Sequence, residues 1–538
     1  MFLCYDESGG CMRKVVKSLT VKEWILYISL FMIPVILILF IRKWLDNDIW
    51  YLLSEGRYII QNGIYHTDVL SIHSDLAIVV QNWLSAVILW IAYAFLKVKG
   101  IFFLVVICNI VICYLLYKIC MLISNKNKVL SLSIMLLTDL SLCLYFVVSR
   151  PQIFSFIILL IAIYLLELYI ETNNKKYVYF LPLLSFLEIN LHASLWWMLI
   201  LFMVPYLIDS FKCDKLKLQG YNKKPLFIAF ILSLLVGFIN PYGFGAITFI
   251  FKSFGDKYML TYISELQPYN IKSFFGIHIT ALTLIVMILF VFFREEKIRI
   301  RYLCLFCGTL ILGLISIKGF SHYILVLLFP LAFLLKDRVP KDFSNTKKIF
   351  KKISNVFVPI FGVGCVVLLV FASKQYKNVI RLSDRASDAV SVIDYFTGGN
   401  PNNVKVYASF NNGGYVEFRG YKAYIDPRAE VFLKKNNKKA DIHNEYYDFE
   451  FNKIERDEFL NKYKFDFLLV DMTDRLYTDM DTENYFVIYD NINDGYKVYA
   501  RNGIVSDELR IMLMEEYTKQ MIKRQSEIQE QLEKQGKK

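Results

Sequence analysis

GIFFLVVICNIVICYLLYKICMLI, residues 100–123, has one charged side chain, Lys118, in 24 positions. A run this long and this apolar reads as a helix crossing a bilayer, whose hydrocarbon core of about 30 Å takes about 20 residues to span. Comparable runs lie at residues 24–41 and near 77–98, 129–148, 151–171, 178–191, 194–210, 226–240, 275–293, 302–317, 321–336 and 354–373, which makes about 12 segments in all. The whole chain follows suit: 538 residues, 56% hydrophobic, 16% aromatic, 20% charged, mean hydropathy +0.42. That composition excludes an ordinary water-soluble fold. It predicts a polytopic α-helical membrane protein of about 11–13 transmembrane helices, with a polar tail long enough to fold by itself.

The net charge of +13 sits in short loops between apolar segments, where the positive-inside rule explains it, so nucleic-acid binding is not expected. Residues 211–225 carry five lysines, 294–301 carry Arg294, Lys297, Arg299 and Arg301, and 336–352 carry six lysines and Arg338. These loops are expected on the cytoplasmic side of the plasma membrane. Counting crossings from them gives a cytoplasmic N-terminal tail (1–23), a transmembrane domain (24–373) with a first outer loop (42–76), an extracytoplasmic α/β domain (374–504) and a charged C-terminal helix (505–538). The count fails by one crossing between residues 77 and 125, so one of the two segments there is expected not to span fully. None of the ten cysteines lies in the polar tail, and no disulfide framework is implied. Cys304 and Cys307 form a lone C-x-x-C in an apolar run, without the second pair of a metal site.

In the tail, Ser387 to Phe396 fits a helix, Val404 to Phe410, Lys422 to Ile425 and Phe465 to Asp471 fit strands, and Tyr485 to Tyr489 with Tyr496 to Ala500 fits a closing hairpin. Asn411-Asn412-Gly413-Gly414 reads as a turn between strands, since no phosphate-loop pattern occurs.

The first outer loop is the informative stretch. Leu45-Asp46-Asn47-Asp48-Ile49-Trp50 leads through Glu55-Gly56 and Asn62-Gly63 to His66-Thr67-Asp68 and Gln81-Asn82-Trp83-Leu84. Ile49, Leu52, Leu53 and Ile60 share one helical face, Asp48 is placed to cap its start and Asn62-Gly63 to end it. This predicts an amphipathic helix on the outer membrane surface with acidic residues at its mouth.

These residues resemble the GT-C superfamily of integral-membrane glycosyltransferases, whose pattern is like D-x-W-x-x-L-x-x-G-x-x-I, then G-I-P-x-x-D-x-x-S, then W-L. Asp48, Trp50, Leu53, Gly56, Ile59, Gly63, Ile64, Asp68, Ser71, Trp83 and Leu84 lie on it, while Tyr65 replaces the usual proline and Leu52 stands where histidine is expected. Ser149-Arg150-Pro151-Gln152, Asn190-Leu191-His192-Ala193, Asn240-Pro241-Tyr242-Gly243 and Glu265-Leu266-Gln267-Pro268 also look familiar, as do Gly413-Gly414-Tyr415 and Tyr424-Ile425-Asp426-Pro427-Arg428 in the tail.

The resemblance implies an inverting transfer of a sugar from a polyprenyl-phosphate donor to an envelope acceptor (a glycan, lipid or protein). Such transfer needs a base for the acceptor hydroxyl and cations for the phosphate. It makes Asp48 the candidate base, with Asp46 and Asp68 the other acidic candidates. Arg150, His192, Lys318 and His322 become candidate phosphate holders, because an ionisable group at the end of an apolar segment is costly unless it works. Glu265 either lines the same cavity or is a solvated loop residue. A divalent cation, Mg²⁺ or Mn²⁺, stays open because members of the superfamily differ. Bland roles compete: helix capping for Asp48, a turn for Asp68, snorkelling for Arg150, satisfied bundle or interface positions for the two histidines, and an internal ion pair for Asp426 and Arg428. A lipid transporter or flippase and a non-catalytic scaffold are the alternative functions.

Overall fold

The computed structural model describes residues 32–40, 45–212, 218–253, 255–293, 298–339, 385–481, 483–491, 493–506, 508–513, 515 and 517–519. The expected segment at 354–373, half of the first one and about two-thirds of the C-terminal charged helix lie outside these residues.

The apolar runs fold as α2 (Trp83–Leu96), α3 (Val98–Ile123), α4 (Lys128–Tyr145), α5 (Gln152–Thr172), α6 (Leu181–Leu191), α7 (Trp196–Asp209), α8 (Lys223–Val236), α9 (Phe274–Phe292), α10 (Ile300–Ile315), α11 (Phe320–Val326) and α12 (Phe329–Leu334), after the loop helix α1 (Ile49–Asn62). Among the described residues, five stretches are long and apolar enough to cross a membrane: α3, α4, α5, α9 and the Ile317–Leu334 stretch holding α11 and α12. The chain is a multi-pass membrane protein. In α9 only 17% of the most apolar window is buried among the described residues.

α2 has 14 residues, about 21 Å of helix against a core of about 30 Å. It packs lengthwise on α1, where Gly56 meets Ala86 and Trp90 and the Arg57 guanidinium lies over the Trp90 ring. α3, with 26 residues, carries the chain to the far end, where Asn127 bonds the carbonyls of Lys336 and Val339. Of the two segments in conflict between residues 77 and 125, α2 is therefore the short one.

α1 runs over Ile49–Asn62 and ends at Gly63 with φ 86°, the left-handed geometry glycine allows. Its apolar face is broader than the sequence suggests: Trp50 and Ile59 join Ile49, Leu52 and Leu53 in burial, whereas Ile60 is 50% exposed. The reason is that α1 is covered on both sides. α2 lies on one side and α14 (Gly413–Phe418) of the tail on the other, with Trp50 against Tyr415 and Phe418 at centroid distances of 5.0 and 4.9 Å.

The tail contains α13 (Arg385–Thr397), β1 (Lys405–Ala408), α14, β2 (Lys422–Ala423), α15 (Ile442–Glu450), α16 (Arg456–Tyr463), β3 (Phe467–Asp471), β4 (Tyr485–Asn491) and β5 (Tyr496–Arg501). The sheet order is β2-β1-β3-β5-β4, with β1 parallel to β2 and β3 and the rest antiparallel. Alternate residues feed two cores: Val406, Ala408, Phe467 and Leu469 pack with Val390 and Ile393 of α13, while Tyr407, Leu468 and Val470 pack with Phe449 and Phe459. The α/β domain, the helix and all the strands follow the expected order. Asn411 to Gly414, expected as a turn between strands, leads into α14, because parallel β1 and β2 need a crossover, and a helix supplies it.

Candidate functional site

A cleft of about 300 Å³ lies where the helical block meets the α/β domain. Asp48, Tyr51, Gln81, Asn82, Arg150, Gln152, His192, Glu265 and Lys318 line it from the first part of the chain, and Phe410, Asn411, Glu430 and Tyr447 from the tail. Loops from four places converge there because helix ends meet: the start of α5, the end of α6 and the turn after α10 all face the start of α1. Trp83 Nε1 donates to Asn190 Oδ1 (3.1 Å), Ser85 Oγ to the Leu191 carbonyl (2.7 Å), and Ala193 N–H to the Gln81 carbonyl (2.7 Å), fixing the α2 and α6 ends to each other.

Arg150 is the hub. Its Nε lies 2.8 Å from Asp46 Oδ1, one terminal nitrogen 3.1 Å from Asp48 Oδ2, and the other contacts Glu265 Oε1. Asp46 also accepts from the Asp48 backbone N–H (3.0 Å), and its own N–H donates to Ser149 Oγ (3.0 Å). Asp48 occupies the N-cap position of α1 but makes no side-chain cap bond; its carboxylate turns to Arg150 instead, since a charge-assisted bond outweighs a neutral one. Although 23% of its side chain stays exposed, burial pushes the Asp48 carboxyl up to about 7, with Arg150 and Lys318 opposing the rise and Asp46 and Glu265 adding to it. Burial also raises the Glu430 carboxyl on the opposite wall. Against the same burial, Arg150 and Lys318 hold Glu265 below the ordinary carboxylate range.

The structure thus brings together Asp46, Asp48, Arg150, His192, Glu265 and Lys318. It does not bring Asp68 or His322 into the cleft. Asp68, 6% exposed, lies 2.9 Å from Arg428, with Asp426 at 2.7 Å and Glu55 and Glu417 each at 3.5 Å from the same guanidinium. This is a buried bridge between the first loop and the α/β domain. The ion-pair reading of Asp426 and Arg428 holds, and Asp68 joins it as a structural partner. The two near carboxylates complement Arg428, and Asp68 lies below the ordinary range although burial works against it. Burial pushes the two distant ones up, Glu55 to about 7 and Glu417 well above the ordinary value. His322, 3% exposed, sits behind the cleft between the Phe156 and Phe202 rings.

Among the described residues no group of three His, Cys, Asp or Glu side chains is arranged to hold a metal ion. Asp46, Asp48 and Glu265 all converge on the Arg150 guanidinium.

Sequence reading missed Glu430, Asn411 and Tyr447, which lie more than 350 residues beyond Asp48 and carry no motif. Tyr447 stacks on Tyr262 at 4.2 Å, and the Asn411 carbonyl accepts from Asn47 Nδ2, so the tail forms one wall of the cleft.

No family model and no curated protein matches this chain. Among solved structures it is similar to the crystal structure of ArnT from Cupriavidus metallidurans bound to undecaprenyl phosphate, at 10% identity and a TM-score of 0.48, over 91% of this chain and 100% of that one.

Proposed function

We propose that this chain is a membrane glycosyltransferase that moves a sugar from a polyprenyl-phosphate donor to an envelope glycan, lipid or protein. The observation that carries the reading is one cleft, beside the membrane helices, holding a carboxyl poised near neutrality against two cations. Arg150 and Lys318 receive the donor phosphate. Asp48 takes the proton of the acceptor hydroxyl as its oxygen attacks the anomeric carbon, and the bond from that carbon to the phosphate oxygen breaks with the electron pair leaving on phosphate. A base with a pKa near the working pH combines a useful ionised fraction with real proton affinity.

The orientation proposed from the basic loops agrees with the helix ends. α5 begins at the cleft with Gln152 and ends near Glu167, which bonds Arg301 at 3.0 Å, next to Asp209 at 2.7 Å. The lysine- and arginine-bearing loops and the cleft are therefore at opposite ends of the same helices. This supports the reading in which the cleft and the α/β domain lie outside the cell and the N-terminal tail in the cytoplasm.

The test is mass spectrometry of envelope glycans and polyprenyl-phosphate sugars in cells lacking the protein. Loss of one glycan with accumulation of its lipid-linked sugar, reversed by the natural protein and not by Asp48→Asn at equal membrane level, is the expected result. Equal restoration by both forms, or no change on deletion, overturns the reading.

A further inference from the structure

A tray of aromatic rings holds basic side chains at the head of α3, and none of them lines the cleft. Trp90 of α2 stacks on Tyr93 at 5.8 Å, and Tyr93 meets Phe418 of α14 nearly at right angles at 5.4 Å. The Arg57 guanidinium of α1 lies over Trp90 at 5.6 Å and over Phe418 at 5.7 Å, and the Lys97 ammonium lies over Tyr93 at 5.3 Å. These two cations are therefore one stacked ring pair apart. A cation on an aromatic face is positioned without being neutralised. Asp394, the acid of this neighbourhood, is taken by Arg419. Among the described residues Arg57, Lys97 and Lys99 have no carboxylate partner, and the Glu417 carbonyl, at 3.3 Å, is the acceptor that Arg57 reaches. The tray also stands at headgroup level. α3 has 26 residues, about 39 Å of helix against a hydrocarbon core of about 30 Å, so its ends reach the headgroups. Lys97 and Lys99 are exposed at its start. Below Lys99, on the same helical face, Phe103, Ile107 and Tyr114 are exposed among the described residues. The basic loops lie at the other end of α3, and lysines at the outer end run against the positive-inside rule, so topology does not account for them. That last step rests on the orientation proposed above; the geometry of rings and cations does not.

We propose that this tray is a binding site for an anionic phospholipid of the bilayer. The lipid phosphate lies between Arg57 and Lys97, with the guanidinium fork donating to its oxygens, and the acyl chains run down the line of Phe103, Ile107 and Tyr114. A net negative headgroup is selected over a zwitterionic one, because the unpaired cations repel a choline or ethanolamine ammonium and no free carboxylate stands among the described residues there to receive it. The lipid touches α1, the turn from α2 into α3 and the neighbourhood of α14 together. It therefore binds the assembled junction of the first loop with the α/β domain, and binding stabilises that junction.

The experiment is native mass spectrometry of the full-length protein in detergent, titrated with palmitoyl-oleoyl phosphatidylglycerol, the matching phosphatidylcholine, or farnesyl phosphate. Binding is read directly and no transfer is measured, so the result stands apart from that of the proposed activity. The natural protein is expected to bind a phosphatidylglycerol at least about tenfold more tightly than phosphatidylcholine, and to melt at a higher temperature in its presence. Arg57→Gln combined with Lys97→Gln abolishes that preference. Lys97→Gln combined with Lys99→Gln alters exposed side chains, lowers the affinity for phosphatidylglycerol by about tenfold, and serves where replacing Arg57 unfolds the protein. Equal binding of the two phospholipids by the natural protein, or an undiminished preference in the folded variants, overturns the proposal. Displacement of phosphatidylglycerol by farnesyl phosphate at equal concentration also overturns it, since the site then belongs to a polyprenyl phosphate.

Discussion

Burial holds Asp48 at about 7, so its carboxylate form takes over as pH rises through neutrality. A base acts deprotonated; transfer activity in membranes is therefore expected to climb between pH 6 and 8 with a midpoint at about 7, and Asp48→Asn to lower the rate by about 10²–10⁴-fold. A flat profile over that range contradicts the role of Asp48. Arg150 makes a different demand. Three nitrogens of its planar fork each meet a separate carboxylate, a geometry an ammonium cannot reproduce. Arg150→Lys is expected to keep the charge and still lose most of the activity, at least about tenfold, with the larger part in the donor KM. Equal KM values would show that charge alone suffices.

α1 is squeezed between two partners, and Gly56 is where it touches one of them. A Cβ there would lie 2.8 Å from Trp90 Cβ and closer still to the Ala86 carbonyl, so Gly56→Ala is expected to destabilise the protein by about 1–3 kcal/mol, read as a lower melting temperature in detergent. Much of this element was legible beforehand: its apolar spacing and the Asn62-Gly63 stop gave its limits. The failure of Asp48 to cap it was not, because the guanidinium that draws the carboxylate away is 102 positions along the chain, the difference between 150 and 48. Strands of the tail were legible for a similar local reason, short runs of apolar and aromatic side chains bounded by polar ones. The helix that follows Asn411-Asn412 was not legible, because asparagine and glycine mark turns and helix starts alike, and which occurs depends on whether the flanking strands pair parallel.

At the scale of the whole molecule, the Arg428 cluster ties the first loop to the α/β domain with one cation and four carboxylates. Arg428→Met strands the ionised partners in a buried site and is expected to cost about 3–5 kcal/mol, seen as a lower melting temperature and earlier proteolytic release of the tail. Glu55 gives the pH dependence its sign. Its folded pKa, about 7, lies above that of an unfolded glutamate, about 4.3, so the folded state binds the proton more tightly. Its contribution is complete below about pH 4 and disappears as pH rises toward 7. The melting temperature of the natural protein is accordingly expected to fall between pH 5 and 8, and Glu55→Gln to flatten that slope; parallel slopes would place the proton elsewhere. No local pattern announces such a cluster, since its members come from residues 55, 68, 417, 426 and 428 and only the closed fold assembles them.

The bond from Arg428 to Asp68 spans 360 positions of sequence. At 5–20 residues per second, a ribosome reaches the arginine roughly 20–70 s after the aspartate. Throughout that interval Glu55 and Asp68 have no cation, and α1 lacks its covering helix while the spans that follow it are still being inserted. Completion of the cleft thus falls to the end of biogenesis: a nascent chain stalled in the bundle is already lodged in the bilayer, yet lacks the wall that the tail supplies.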